Sequence, residues 1–512
     1  MECIIESIFT IAQITEMCYY VVPLLCKVIL CLIALYVVRR RIKMKRVYEL
    51  ADKLKNSYKP LPLIGHAYMA LGTSEDRLNV MKQFSSEAMK NKHGVTGAWI
   101  GMNLFVVVAD PLAAEVLTKA VLVKSDMKAF RQLTGKYGSV FAPLDIWRRH
   151  RRVVLHSLSE KHLKDYTEIF AKCSLNAVEE LDVVADTGPF SIWDCVLEYS
   201  MTSVSQSLLG MENIDIKDKE HKLFMQALST CLQYIAEKMS QPWLRSDVIF
   251  RNMPVYKKVE KWKNVIHSFI EKVIRKNIQS KPAGSSKNVM ETIMETSRSF
   301  EQPFSLEELR DELVVLTLAS IDTSTVAVCF ACLMMAMHPE CQQRAYEEVL
   351  EVMEDATVPT IDHLSKLTYL DAIIRETLRL YPPVPLIARK VDEDVELPTG
   401  LTIVPNCELL ISVWAIHRHP RYWGSDADRF NPDRFLEPSE RPGGAFMAFG
   451  YGPRNCIGYR FAMKSTKIVL SSIIRRFRIL PPSNQSQFEL KLKYDVMLKD
   501  VNNFQIQLQR RK

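Results

Sequence analysis

Cys456 stands in Phe449–Ala462, FGYGPRNCIGYRFA, among three glycines and two arginines and directly before an amphipathic stretch. A core thiol needs no such glycines. A disulfide needs a partner, and Cys407, the cysteine before it in the chain, lies far back. A thiolate is a strong, soft ligand for iron, and metal binding deprotonates the thiol outright. Glycines let backbone N–H groups approach the sulfur, and a helix beginning just after Cys456 aims its unpaired N–H groups and positive dipole end at it. A single protein ligand with no His or Cys beside it suits zinc poorly. A porphyrin, which brings four nitrogens of its own, suits it well.

Two further stretches hold chemistry-bearing residues on long elements. Ser305-Leu-Glu-Glu308 is a capping box that opens a helical run to Met337, roughly 48 Å long at 1.5 Å per residue. In its middle ASIDTSTV (Ala319–Val326) places Asp322, Thr323 and further hydroxyls in an apolar cylinder. The rival reading, a transmembrane helix, makes that carboxylate costly. A buried helix lining a wet cavity fits better. A second helix, Ser365–Leu380, carries Glu376 and Arg379 one turn apart and stops at YPPVP.

The elements that position these residues are mostly helical. Periodicity of helical type dominates from about residue 145 to 385, broken by polar loops near Gly188, 241–254 and 281–287. TGAWIGMNLFVVVADP reads as two strands joined at Gly101–Asn103, with a helix opening at Asp110–Pro111. Residues 491–509 alternate as short strands do. The fold class is mainly α with a small β portion.

The net charge of +8 is local rather than general. Residues 1–38 carry −2, the block Arg39–Arg46 carries +6, and +4 is left for the remaining 466 residues. No basic stripe interleaved with aromatics is present, so nucleic acid is not expected as a partner. Met17–Val38 holds a single charge, Lys27, and is long enough for a hydrocarbon core about 30 Å thick. The arginines after it read as a cytosolic stop-transfer flank. A cleaved signal peptide is the rival, disfavoured because the charge follows the apolar run. The expected organisation is a short lumenal N-terminus (1–16), a transmembrane anchor (17–38), a basic stop-transfer and linker (39–59) and a catalytic domain (60–512), single-pass in the endoplasmic reticulum membrane with the domain cytosolic. Membrane lipid is thus an expected partner. Cys329 and Cys332, a C-x-x-C inside an apolar helix, read as buried core thiols.

F-x-x-G-x-R-x-C-x-G occurs in full at Phe449, Gly452, Arg454, Cys456 and Gly458. It resembles the heme-thiolate signature of the cytochrome P-450 family. ETLR resembles the family's E-x-x-R, PDRF (Pro432–Phe435) the segment whose arginine locks onto it, and WRRHR the W-x-x-x-R of a heme-contacting helix. The resemblance implies the cytochrome P-450 fold, with heme between the long central helix and the Cys-ligand loop, preceded by one N-terminal transmembrane helix. It implies Cys456 as axial ligand of a non-covalent heme b, with Trp147, Arg151, Arg389 and Arg454 facing the propionates. Glu376, Arg379 and Arg434 become a structural ion network. Asp322 and Thr323 look like the family's acid–alcohol pair, a carboxylate that relays protons and an alcohol that orders water. The alternative is a helix-bending Thr beside a satisfied Asp.

PWLRSDVIF, IHRHPRYW and FNPDRF resemble the insect family-four group. Many of its members carry Glu at the position of Ala319 and can esterify the heme; alanine cannot, hence non-covalent heme. Ser320 replaces the usual glycine. The implied reaction is insertion of one oxygen atom from O₂ into a small apolar substrate, with electrons from NADPH through a separate NADPH-cytochrome P-450 reductase and with cytochrome b5 as a second possible donor. Arg148, Arg149, Arg152, Arg475 and Arg476 are candidates for docking that reductase, or else solvated helix faces. PWLRSDVIFRNMPVY is either an amphipathic membrane lip or a surface loop. Two alternatives remain: a reductase-independent peroxide isomerase or dehydratase of the same fold, and a non-catalytic heme carrier or sensor.

Overall fold

A computed structural model describes residues 24–511 apart from 26, 29, 33, 126–127, 212–218, 241–249, 280–287, 439 and 484–488. The expected loop 281–287, most of the loop 241–254 with the suggested membrane lip, and residues 17–23 of the suggested anchor lie outside the described residues. The described part of residues 24–43 is helical, with Leu24, Leu30, Leu35 and Ile42 all more than half exposed.

The helices that frame the site are α1 (Ser74–Lys90), α2 (Leu144–Ser157), α3 (Glu160–Val184), α4 (Trp193–Ser207), α5 (Lys219–Ser240), α6 (Pro254–Gln279), α7 (Leu306–Met337), α8 (Pro339–Met353), α9 (Thr368–Leu380) and α10 (Tyr459–Arg476). Helix α7 is the long central helix the capping box announced: Glu308 N–H donates to Ser305 Oγ at 3.2 Å and Ser305 N–H to Glu308 Oε2 at 2.9 Å. Its flanks pack on α4, α6, α9 and α10, so it is buried on nearly all sides. Cys329 and Cys332 sit there fully buried, their thiols pushed up by burial, as core residues should be.

One expected helix is divided. Residues 361–366 form a short helix and α9 starts anew at Thr368. The break comes from α8: the Glu348 carboxylate accepts from the N–H groups of Tyr369 and Leu370 at 2.6 and 2.9 Å and from Thr368 Oγ1 at 3.0 Å. A cap donated from 20 residues upstream leaves no local signal.

The main sheet has the order β1 (Val95–Ile100), β2 (Asn103–Val108), β4 (Glu408–Ser412), β3 (Leu386–Lys390). β1 and β2 form the expected hairpin, turning at Gly101 with φ 61°. β2 pairs in parallel with β4, Val108 opposite Ile411. β3 lies antiparallel at the edge with Arg389 opposite Leu409. Near the C-terminus lie short strands, as the alternation there suggested, and two of them, β5 (Leu492–Tyr494) and β6 (Leu498–Asp500), pair as a hairpin. Asp110 caps the following helix by accepting from Ala113 N–H at 2.9 Å.

Candidate active site

The cysteine loop is built from backbone bonds that only a glycine-rich chain allows. Cys456 N–H donates to Phe449 O at 2.7 Å, Asn455 N–H to Gly452 O at 3.1 Å and Gly450 N–H to Met447 O at 2.8 Å. Gly452 has φ 72°, and a Cβ there would stand 2.8 Å from the Thr118 carbonyl oxygen, so the loop lies directly on the helix Pro111–Ala120. Helix α10 starts at Tyr459, immediately beyond the loop. Cys456 keeps solvent-accessible surface although protein surrounds it. Burial pushes its thiol up, while the Gly458 N–H and the charges of Arg151 and Lys124 pull it down. Burial prevails, so the thiolate expected at this position forms on metal binding rather than in the free thiol.

Four cations cluster here: Arg151 and Lys124 act on the sulfur, and Arg389 and Arg454 on Lys124. Arg454 is 8% exposed and stacks on Trp147, guanidinium carbon to ring centroid 4.1 Å, with Nε donating to Leu122 O at 2.9 Å and Nη1 to Ser139 O at 3.4 Å. Arg389 is 3% exposed; Nη1 donates to Ala388 O and its buried Nε has no hydrogen-bond acceptor. Arg151 directs both Nη atoms at Asn455, 2.9 Å to the backbone oxygen and 2.6 Å to Oδ1, and so grips the residue next to the sulfur. The fourth is Lys124, whose ammonium is pushed well below the ordinary lysine value by burial, then by Arg389 and Arg454. Burial lowers Arg389 to about 10 and, with the neighbouring guanidiniums, Arg454 to about 9. Like charges held together out of water demand an anion, yet among the described residues no carboxylate pairs with any of the four.

Helix α7 is buried through most of its length but opens at Ala319, Ser320, Thr323 and Ser324. Thr323 Oγ1 donates to Ala319 O at 2.6 Å, bonding back along its own helix. Asp322 points to another side. It forms an ion pair with Lys499 of β6, Nζ to Oδ1 2.9 Å, and Lys499 lies over the Trp193 ring at 4.4 Å. Asp322 also lines a cavity of about 870 Å³ bordered by α1, α4, α5, α7 and the β5–β6 hairpin. Its wall is apolar at Leu197, Met225, Leu228, Leu318 and Ile321, and a second ion pair, Arg77 with Asp495, stands in it. Neither Cys456 nor the four cations line this cavity. The carboxylate and the hydroxyl, one residue and 100° apart, thus serve different sides of the helix.

The E-x-x-R pair is fully buried. Arg379 binds Glu376 through Nε and Nη2 at 2.6 and 2.7 Å and donates to the carbonyls of His417, Ala427 and Arg429 at 2.7, 2.5 and 3.0 Å. Arg434, on the turn Pro432–Phe435, reaches Glu376 at 3.6 Å and bonds Trp423 O and Asp426. His417 joins this network to the cysteine loop: Nδ1–H donates to Arg379 O at 2.9 Å and Nε2 accepts from Met447 N–H at 2.8 Å. That geometry needs a neutral ring, and burial lowers His417 to about 3. An unfolded histidine takes its proton near pH 6.5, so between pH 6.5 and 3 the unfolded state binds the extra proton and stability falls with pH. Urea unfolding at pH 5.0 against 7.5 should show about 2 kcal/mol of loss from this group alone. His417→Gln should flatten that part of the pH dependence; an unchanged slope would assign it elsewhere.

Of the arginines suggested for docking, three are engaged internally. Arg149 pairs with Glu308, Arg475 donates to the carbonyls of Ala356 and Glu354, and Arg476 pairs with Asp182 at 3.2 Å. Arg148 and Arg152 remain exposed, with no ion pair among the described residues. Lys124 and Lys499 escaped the sequence reading, since neither belongs to a motif and both are brought in by tertiary contacts.

A porphyrin with two propionates meets the donor set on two counts. It gives Cys456 an iron to ligate, and it supplies carboxylates to a cation cluster with a buried, unsatisfied arginine N–H. The family profile described as Cytochrome P450 matches residues 56–507. The chain is 26% identical over 494 residues to "Cytochrome P450 4V2" of Homo sapiens, covering 91% of this chain and 93% of that one. It is 26% identical over 494 residues to "Cytochrome P450 4d1" of Drosophila melanogaster, covering 90% and 95%. "Probable cytochrome P450 313a4" of the same fly is 27% identical over 454 residues, covering 85% and 89%. The cysteine loop, the buried E-x-x-R network and a match over nearly the whole described chain agree: the protein belongs to the cytochrome P450 family of heme-thiolate monooxygenases.

Proposed function

We propose that the protein is a membrane-anchored monooxygenase that oxidises a small apolar substrate with O₂. Cys456 and the open stripe of α7 would hold a non-covalent heme b. The observation that carries this reading is a group of four cations next to the Cys456 loop, with no carboxylate paired to them among the described residues. Lys124, Arg389 and Arg454 would hold the propionates, while Arg151 fixes Asn455 and with it the loop that aims the sulfur. Thiolate-ligated heme supplies the electron donation that favours O–O cleavage. The residues then supply protons and exclude bulk water. Asp322, held by Lys499 at the wall of the 870 Å³ cavity, takes protons from water there. Thr323, a residue further on and bonded to Ala319 O, holds water with the lone pairs of its hydroxyl 100° round the helix.

Electrons come from NADPH through NADPH-cytochrome P450 reductase, for which the exposed Arg148 and Arg152 offer charge. The anchor is residues 17–38 and the membrane that of the endoplasmic reticulum. Reconstitution with reductase and NADPH tests the whole reading: wild type should consume NADPH and form oxidised product from an apolar ligand that shifts the heme spin state. Asp322→Asn should lower product formation about 100-fold and enlarge the solvent isotope effect. Turnover of an organic peroxide without reductase, undiminished in Asp322→Asn, would instead establish the isomerase reading; NADPH consumption with no product would establish a carrier or sensor.

A further inference from the structure

Arg310, Asp311 and Glu312 follow one another near the start of α7; Arg310 and Asp311 pair with each other at 2.8 Å, while Glu312 turns to separate partners. Arg310 reaches Glu271 of α6 at 2.9 Å. The carboxylate of Asp311 accepts from Tyr137 N–H at 3.1 Å, so close that a Cβ on Gly135, held at φ 81°, would collide with it. Glu312 is fully buried and accepts three bonds: Ser139 N–H at 3.0 Å, Ser139 Oγ at 2.6 Å and His150 Nδ1 at 2.8 Å. His150, also fully buried, stacks on Phe304 with centroids 4.2 Å apart, and Glu308 and Arg149 flank its other nitrogen.

A buried carboxylate in such a network is weak evidence for stability, because an apolar residue of similar size would often serve as well. Its geometry has another consequence. Ser139 is gripped at both its N–H and its hydroxyl by Glu312, and its carbonyl then accepts from Arg454 Nη1 at 3.4 Å. Gly138 O receives the N–H groups of Phe141 and Ala142, which leads the chain straight into α2 with Trp147, the ring under the Arg454 guanidinium. The central helix therefore reaches the cation cluster through one loop residue.

We propose that Glu312 is a positioning residue of the heme site, acting through His150 and Ser139 to set the angle of Arg454 towards a propionate. The proposal rests on the reading that Arg454 binds the heme carboxylates. Outer partners of this kind typically change affinity by about 10–100-fold. The test is heme transfer from the purified holoprotein to excess apomyoglobin. Glu312→Gln should release heme about 10–100-fold faster, Arg454→Lys likewise, and the double variant no faster than the quicker single one. Propionate bending modes in the resonance Raman spectrum should shift alike in both singles. Glu271→Gln, which removes one carboxylate from Arg310 and touches neither Glu312 nor Ser139, should lower the melting temperature without changing heme release. Should Glu312→Gln not fold, Ser139→Ala, which removes a single bond, should give a smaller acceleration in the same direction. Additive rates in the double variant, wild-type release from the folded variants, or equal acceleration by Glu271→Gln would each overturn the proposal. A wild-type protein that never takes up heme would refute the underlying heme reading instead.

Discussion

Cys456→Ala is expected to yield a folded protein whose reduced, carbon monoxide-bound form lacks the red-shifted thiolate band and whose product formation falls by at least ~10³-fold, about 4 kcal/mol of barrier. The fold should survive because the loop is held by backbone bonds that alanine keeps, above all Cys456 N–H to Phe449 O at 2.7 Å. Among the described residues the remaining cysteines belong to other surroundings: Cys173, Cys231, Cys329, Cys332 and Cys407 are buried, their thiols pushed up by desolvation, Cys195 and Cys341 are half-buried within helices, and Cys31 lies exposed on the N-terminal helix. None of them lies in a loop ahead of a helix start among cations. A red-shifted band that persists in the alanine variant would place the ligand elsewhere and end the assignment of Cys456.

Arg379→Met should be the most destabilising single change outside that loop. It leaves the fully buried Glu376 carboxylate without its paired guanidinium and removes the donor from three carbonyls at once. Breaking a buried pair from one side costs about 3–5 kcal/mol, a large share of the roughly 5–15 kcal/mol that holds a folded protein together. Denaturant titration should show that loss as a lower midpoint at unchanged slope. Heme content per polypeptide should drop too, because His417 links Arg379 to Met447 at the base of the cysteine loop. Loss below 1 kcal/mol would mean that the network is dispensable. Glu376→Gln keeps an acceptor for Arg379 and should cost less.

What could be read in advance was whatever the chain encodes locally. The capping box at Ser305 marks the start of α7, the glycine-joined alternation gives β1 and β2, and prolines stop α9 after Leu380. The cysteine loop is legible for the same reason, since its glycines, arginine and sulfur are neighbours in sequence. What could not be read depends on partners far apart. Lys499 finds Asp322 across 177 positions, and His150 finds Glu312 across 162. No local pattern ranks Lys124 above the many other lysines, or says that Arg475 turns inward to two carbonyls. The split before α9 has the same origin, a cap supplied by Glu348. Local order was legible, and the wiring between elements was not.

The parallel pairing of β2 with β4 bears on how the chain is made. Val108 leaves the ribosome about 300 residues before its partner Ile411, which at about 5–20 residues per second is a wait of roughly 15–60 s. Throughout that time Phe105–Val108, the most apolar part of the hairpin, presents an unpaired edge of the kind that seeds aggregation. Slowing elongation should lengthen this exposure and lower the soluble yield, and co-expressed chaperones that shield strand edges should restore it.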